Sequence, residues 1–141
     1  MGGLRFAGYA AVFDAPDRGG DVVRRGAFDA TARPVPLLWQ HQGSPIGVIE
    51  ALGEDARGLR VIGRIDEPRL AAAVRAGAVD GLSFGYRVRG CREGARRELT
   101  ALELVEVSLV AEPMQRLARV HAVVEDFPTP SASQASETET V

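Results

Sequence analysis

Hydrophobic and polar residues alternate along most of this chain, a pattern that predicts strands with one buried face. The alternation is clearest where Leu59, Val61 and Ile65 are interleaved with Arg60 and Arg64. Short runs rich in Gly, Pro and Asp separate the hydrophobic stretches and predict turns between them. Together these signals predict strands within the segments 4–13, 21–23, 37–41, 46–51, 59–65, 79–89, 99–110 and 119–124.

One helix is signalled between residues 66 and 77. Asp66 can cap its N-terminus, Pro68 suits its first turn, and Gly77 can end it in the left-handed conformation. One or two helical turns are also expected within 28–33, because the prolines that follow stop a helix. Many short strands with one main helix predict a compact β-barrel or a β-rich α+β domain.

The composition changes at about residue 125. The chain has 141 residues and a mass of 15.0 kDa, and 45% of its residues are hydrophobic, which is enough for one domain with its own core. The final segment, EDFPTPSASQASETETV, has almost nothing to bury and cannot offset the entropy lost on ordering. We therefore expect a folded domain over 1–124 and a disordered tail over 125–141.

Composition also narrows the class of function. The net charge of −2 argues against nucleic acid as a partner, and two histidines with one cysteine cannot build a dense zinc cluster. The lone Cys91 fits a reducing compartment. No apolar run approaches the ~20 residues that span a bilayer, and the start lacks a signal-peptide stretch. A soluble intracellular protein without metal, cofactor or membrane contact is expected.

Ser83 is a candidate nucleophile because it lies between Gly81 and Gly85, where missing side chains allow a close approach. The pattern matches the G-x-S-x-G elbow of α/β-hydrolases only superficially. That elbow needs a strand before the serine and a helix after it, whereas the reverse order is predicted here. On the motif alone, a turn serine beside glycines is the commoner explanation.

Two histidines could act as the base for such a serine. His41 ends an apolar run beside a turn, where one ring nitrogen can face a cleft, and a neutral imidazole is the usual acceptor of a serine proton. His121, within the last predicted strand, is the rival. Either could equally be a structural side chain.

Glu106 is the most informative carboxylate. Strand alternation places it on one face with Leu102, Leu104, Ser108 and Val110. A carboxylate among leucines is costly to bury unless it is hydrogen-bonded, and orienting a catalytic imidazole is one such use. Pairing with an arginine is the structural alternative, and Glu103, on the opposite face, is the second choice.

The hydrophobic and glycine motifs of this chain, taken in order, resemble those of the prohead proteases of tailed bacteriophages. The same family occurs in gene transfer agents and is distantly similar to the herpesvirus assembly proteases. The resemblance covers about residues 6–123. Its pieces are Gly8–Phe13 with Asp21 and Gly26–Phe28, then Leu37–His41, Gly81–Tyr86, and Leu104–Val110 with Pro113.

This resemblance implies a small herpesvirus-protease-like β-barrel, with one main helix and short flanking helices, that acts as a serine endopeptidase without a cofactor. Ser83 would be the nucleophile, His41 the base, and Glu106 the third member, with His121 still open because the herpesvirus relatives use a second histidine. The substrate would be the scaffold-like segment of the major capsid protein, and the protease itself, inside the procapsid in the bacterial cytoplasm. Dimerisation is expected from relatives.

Two other functions compete with this one. A non-catalytic capsid-assembly scaffold of the same fold would need neither Ser83 nor His41. A cysteine hydrolase would use Cys91, whose arginine neighbours would lower a thiol pKa, although its place in a charged turn makes it incidental.

Overall fold

Eight strands and one helix form the part of the chain described by this computed structural model, residues 3–28 and 34–125. Each predicted strand segment overlaps an observed strand, with ends that differ by a few residues. The strands are β1 (Leu4–Val12), β2 (Val22–Val23), β3 (Val35–Trp39), β4 (Gln42–Glu54), β5 (Gly58–Ile65), β6 (Gly81–Arg92), β7 (Glu98–Val110) and β8 (Val120–Glu125), and the helix is α1 (Pro68–Arg75).

The long strand β7 joins three other strands. β6 runs antiparallel to it, from Gly81 opposite Val110 to Arg92 opposite Glu98. On its other edge, β2 pairs in parallel with the first residues of β7, and β3 pairs in parallel with Val107, Ser108 and Leu109. The C-terminal end of β7 therefore lies between β3 and β6.

The sheet continues from β3 through β4, β5 and β1 to β8. Among the described residues, β6 meets the segment just before β8 in one isolated bridge, Gly81 with Arg119, supported by a hydrogen bond from the Leu82 N–H to the Ala118 carbonyl at 2.9 Å. The expected β-rich fold with one main helix is confirmed. The closed barrel is not, because no continuous ladder joins these strands.

One hydrophobic cluster packs against the inner face of the sheet. Both β3 and β6 contribute to it next to β7, through Leu37 and Leu82, which are fully buried. From β7 itself the buried members of the cluster are Leu99, Leu102, Leu104, Val107 and Leu109.

The spacing of these β7 residues shows that the alternation changes phase at Val105. Gly85 of β6 lies opposite Glu106, but the next residue, Tyr86, lies opposite Leu104, so Val105 is the extra residue of a β-bulge and is 40% exposed. The prediction that Leu104 and Glu106 share a face is therefore wrong. The bulge turns Glu106 and Ser108 away from the core.

The helix is capped by a different residue from the one predicted. Glu67, not Asp66, accepts the Leu70 N–H at 2.9 Å, while Asp66 accepts from the Arg64 guanidinium at 2.8 Å. Gly77 has φ of +80° and ends the helix as expected. No helix in the described ranges is long and apolar enough to cross a membrane. Of the helical turns predicted within 28–33 and the tail predicted over 125–141, residues 29–33 and 126–141 lie outside the described residues, and the domain boundary stays a prediction.

Two glycines of β4 provide a test of how tightly the sheet packs. A Cβ at Gly47 would lie 1.8 Å from the Arg64 carbonyl oxygen, a backbone atom that cannot move without β5, whereas a Cβ at Gly53 would meet nothing within 4 Å. We expect Gly47→Ala to lower the free energy of unfolding by about 3 kcal/mol. Gly53→Ala should change it by less than about 0.5 kcal/mol. Urea unfolding followed by circular dichroism measures both, and equal effects would contradict this packing.

Candidate active site

The turn between β3 and β4 presents His41. Trp39 pairs with Gln42, and the two residues between them, Gln40 and His41, have φ of +55° and +63°. Positive φ at both central residues defines a type I′ hairpin turn, for which Asn-Gly is the favoured sequence. For residues with a side chain this conformation costs about 1–3 kcal/mol each and persists only where surrounding contacts enforce it.

Hydrogen bonds to the end of β7 enforce this turn. The Gln40 N–H donates to the Leu109 carbonyl at 2.9 Å, and the Gln40 side-chain oxygen accepts the Ala111 N–H at 2.7 Å. The His41 N–H donates to the Ser108 hydroxyl oxygen at 3.0 Å. The strands predicted within 37–41 and 46–51 leave a later turn, at Gly43–Pro45, whereas the structure has the turn at Gln40 and His41.

Glu106 meets His41 from β7. Its Oε2 lies 2.6 Å from Nδ1 of His41, and its Oε1 accepts from the Ser108 hydroxyl at 2.8 Å. Glu106 is 8% exposed, so both carboxylate oxygens need partners, and both have them. Because an ionised carboxylate only accepts, the neutral ring carries its proton on Nδ1, which leaves Nε2 as a proton acceptor.

Ser83 enters the same site from β6. It lies directly opposite Ser108 in the antiparallel ladder, so the two side chains share a face with Cβ atoms about 4.5–5.5 Å apart. On the other side of β7, Leu38 of β3 pairs with Ser108. Ser83 is 6% exposed. Ser83 thus shares a face of the sheet with Ser108 and Glu106, the two residues that bind His41.

The glycines that flank Ser83 accommodate the protein's own atoms. A Cβ on Gly85 would lie 2.2 Å from Oε2 of Glu106, and a Cβ on Gly81 would lie 2.7 Å from the Val110 carbonyl oxygen. Gly85 therefore leaves room for Oε2 of Glu106, the same oxygen that contacts Nδ1 of His41. The sequence predicted that the missing side chain at Gly85 allows a close approach to Ser83, and in the structure Glu106 occupies that space.

The rival residues lie in other surroundings. The exposed His121, on β8, packs its ring against Tyr9 with centroids 5.5 Å apart, and a hydrogen bond from the Tyr9 hydroxyl to Asp55 raises the pKa of that tyrosine. Glu103 forms ion pairs with arginines of β6. Cys91 is exposed and belongs to β6, not to the turn that was predicted for it.

Ser108 also belongs to the site, through its hydrogen bonds with His41 and Glu106. Strand alternation predicted that it shares a face with Glu106 but indicated no role for it. Its one signal is a hydroxyl within the apolar run of Val107 and Leu109. Within the described residues, no three His, Cys, Asp or Glu side chains are grouped so that they could hold a metal ion.

An imidazole held by a carboxylate beside a serine is the set of groups that serine hydrolases use, and here it lies on a β-rich fold. The chain belongs to the Caudovirus prohead serine protease family, whose model matches residues 2–131. It is 37% identical over 94 residues to the prohead protease of Enterobacteria phage HK97, covering 59% of this chain and 42% of that protein. The chain thus spans about two fifths of that relative's length. The family resemblance found in the sequence is confirmed.

Solved structures of Kaposi's sarcoma-associated herpesvirus protease share the fold. A complex with a hexapeptide phosphonate inhibitor has a TM-score of 0.59 at 17% identity, covering 98% of this chain and 75% of that chain. A complex with a dimer disruptor has a TM-score of 0.54 at 17% identity, covering 98% and 88%. The expected herpesvirus-protease-like fold is therefore confirmed, apart from the closed barrel.

Gly85→Ala tests whether the site needs the space that Glu106 occupies. The new Cβ would displace the carboxylate, which is the flexible partner, so we expect the His41 Nδ1–H resonance of the carboxylate hydrogen bond to disappear from the proton NMR spectrum. Gly90→Ala on the same strand is the control, because its nearest neighbour would be the Thr100 hydroxyl oxygen at 3.2 Å. Retention of the resonance in Gly85→Ala would show that Glu106 is not displaced.

Proposed function

We propose that this protein is a serine endopeptidase, with Ser83 as nucleophile, His41 as general base and Glu106 as the residue that orients the imidazole. The observation that carries the proposal is the 2.6 Å contact between Glu106 Oε2 and His41 Nδ1, made beside a serine in register with Ser108. Membership of the prohead serine protease family supports it.

The contacts of His41 suit the chemistry of acyl transfer. With Nδ1–H donated to Glu106, Nε2 takes the Ser83 proton as the hydroxyl oxygen bonds to the carbonyl carbon of the peptide. The imidazolium then protonates the leaving amine as the C–N bond breaks. Water, activated by the same nitrogen, hydrolyses the ester and restores Ser83. Glu106 stays ionised and stabilises the imidazolium in both halves of the reaction.

Family membership also supports a substrate and a place of action. We propose that the enzyme trims the scaffold-like segment of a major capsid protein, and itself, inside an assembling procapsid. Self-association into a dimer is a further proposal, consistent with the dimer disruptor that binds the herpesvirus protease of similar fold. Among these proposals, cleavage of the capsid protein is the one that can be tested first.

Co-expression with the neighbouring capsid protein tests the activity directly. Intact-mass analysis is expected to show a shortened capsid protein with the wild-type chain and a full-length one with Ser83→Ala, because the nucleophile is missing. Equal shortening with both would remove Ser83 as nucleophile, and a further iodoacetamide treatment would then test Cys91. Co-purification without shortening in either case would favour a non-catalytic scaffold.

The third member of the site is tested by Glu106→Gln beside His121→Ala. An amide in place of the carboxylate can donate to Nδ1 and so favour the wrong imidazole tautomer, which in a serine triad lowers kcat by roughly 10⁴-fold. The assay measures kcat on a peptide that spans the cleavage site found in the capsid protein. We expect His121→Ala to keep wild-type kcat, since its ring packs against Tyr9. The opposite pattern would make His121 the third member.

A further inference from the structure

The buried hydroxyl of Ser108 forms hydrogen bonds with both His41 and Glu106. It is fully buried, so it cannot meet a substrate itself. Its hydroxyl oxygen accepts the His41 N–H at 3.0 Å, and its O–H donates to Oε1 of Glu106 at 2.8 Å. One side chain therefore contacts both the backbone of the base and the carboxylate that orients it.

The direction of these hydrogen bonds is determined by the groups involved. A backbone N–H can only donate and an ionised carboxylate can only accept, so the single Ser108 proton must point to Glu106. That bond leaves Oε2 of Glu106 as the oxygen that faces Nδ1 of His41. The hydroxyl thus selects which carboxylate oxygen serves the imidazole.

Ser108 also acts on the turn that carries the imidazole. Gln40 and His41 both hold the left-handed conformation, which side chains disfavour. The bond from the His41 N–H to Ser108 ties the turn to the strand that carries Glu106. The His41 backbone and the Glu106 carboxylate are therefore held by the same hydroxyl group.

We propose that Ser108 is a positioning residue for catalysis, whose hydroxyl fixes the His41 backbone and the Glu106 carboxylate relative to each other. The proposal rests on the function proposed above, but the geometry can be tested without any cleavage. Removing the hydroxyl leaves the nucleophile and the base in the chain and loosens only their alignment. A misplacement of about 1 Å at a reacting group can lower the rate by up to about 100-fold.

The experiment compares Ser108→Ala with Val107→Ala in the full chain. Val107 is the adjacent residue of β7, is fully buried, and faces the core instead of the site. Its truncation destabilises the same strand without removing a bond to His41 or Glu106. Proton NMR monitors the Nδ1–H resonance of His41, assigned by its loss in His41→Gln, and the peptide assay gives kcat and KM.

For Ser108→Ala we expect kcat to fall about 10- to 100-fold with KM unchanged, and the Nδ1–H resonance to shift and exchange faster with water. Val107→Ala should lower the thermal midpoint of unfolding but keep that resonance at its wild-type position. A Ser108→Ala spectrum identical to wild type would overturn the proposal. If wild type shows no Ser83-dependent cleavage, the proposed function fails, while the resonance still decides the role of Ser108 in the geometry.

Discussion

The hydrogen bonds between the β3–β4 turn and the end of β7 hold the candidate site together. Two left-handed residues, Gln40 and His41, cost about 1–3 kcal/mol each. Each neutral hydrogen bond that ties the turn to β7 contributes about 0.5–1.5 kcal/mol, and one to the charged Glu106 about 1.5–3 kcal/mol. Cost and gain are of the same size. The turn therefore keeps this conformation only while these bonds tie it to β7, and His41 stays at Glu106 on the same condition.

The bulge at Val105 lets β7 serve the core and the site at once. Before the bulge, Leu102 and Leu104 face the hydrophobic cluster, and after it Val107 and Leu109 do. Because the alternation of side chains changes phase at Val105, Glu106 and Ser108 lie on the outer face while the apolar residues of β7 stay in the core. A bulge beside a reactive site is a common way for a sheet to redirect a side chain. Here it redirects the carboxylate toward the turn.

Much of this fold could be predicted from hydrophobic alternation, because a strand that buries one face must alternate. Ser83, His41 and Glu106 could also be singled out, since each is a polar side chain in an apolar or glycine-rich setting. The turn could not be predicted, because Gln40 and His41 lack the Asn or Gly that signals a type I′ hairpin. Neither could the bulge, since Val105 continues the strand pattern. Both depend on contacts between distant segments.

The site combines two kinds of support. Ser83 and Glu106 belong to paired strands, whose separation of about 4.8 Å is set by the backbone ladder, so their positions follow from the sheet itself. His41 lies beyond the end of β3 and has no ladder partner. The hydrogen bonds made by Ser108 and Gln40 hold the turn where strand pairing ends. This division explains why Ser108, which is fully buried, forms hydrogen bonds with both His41 and Glu106.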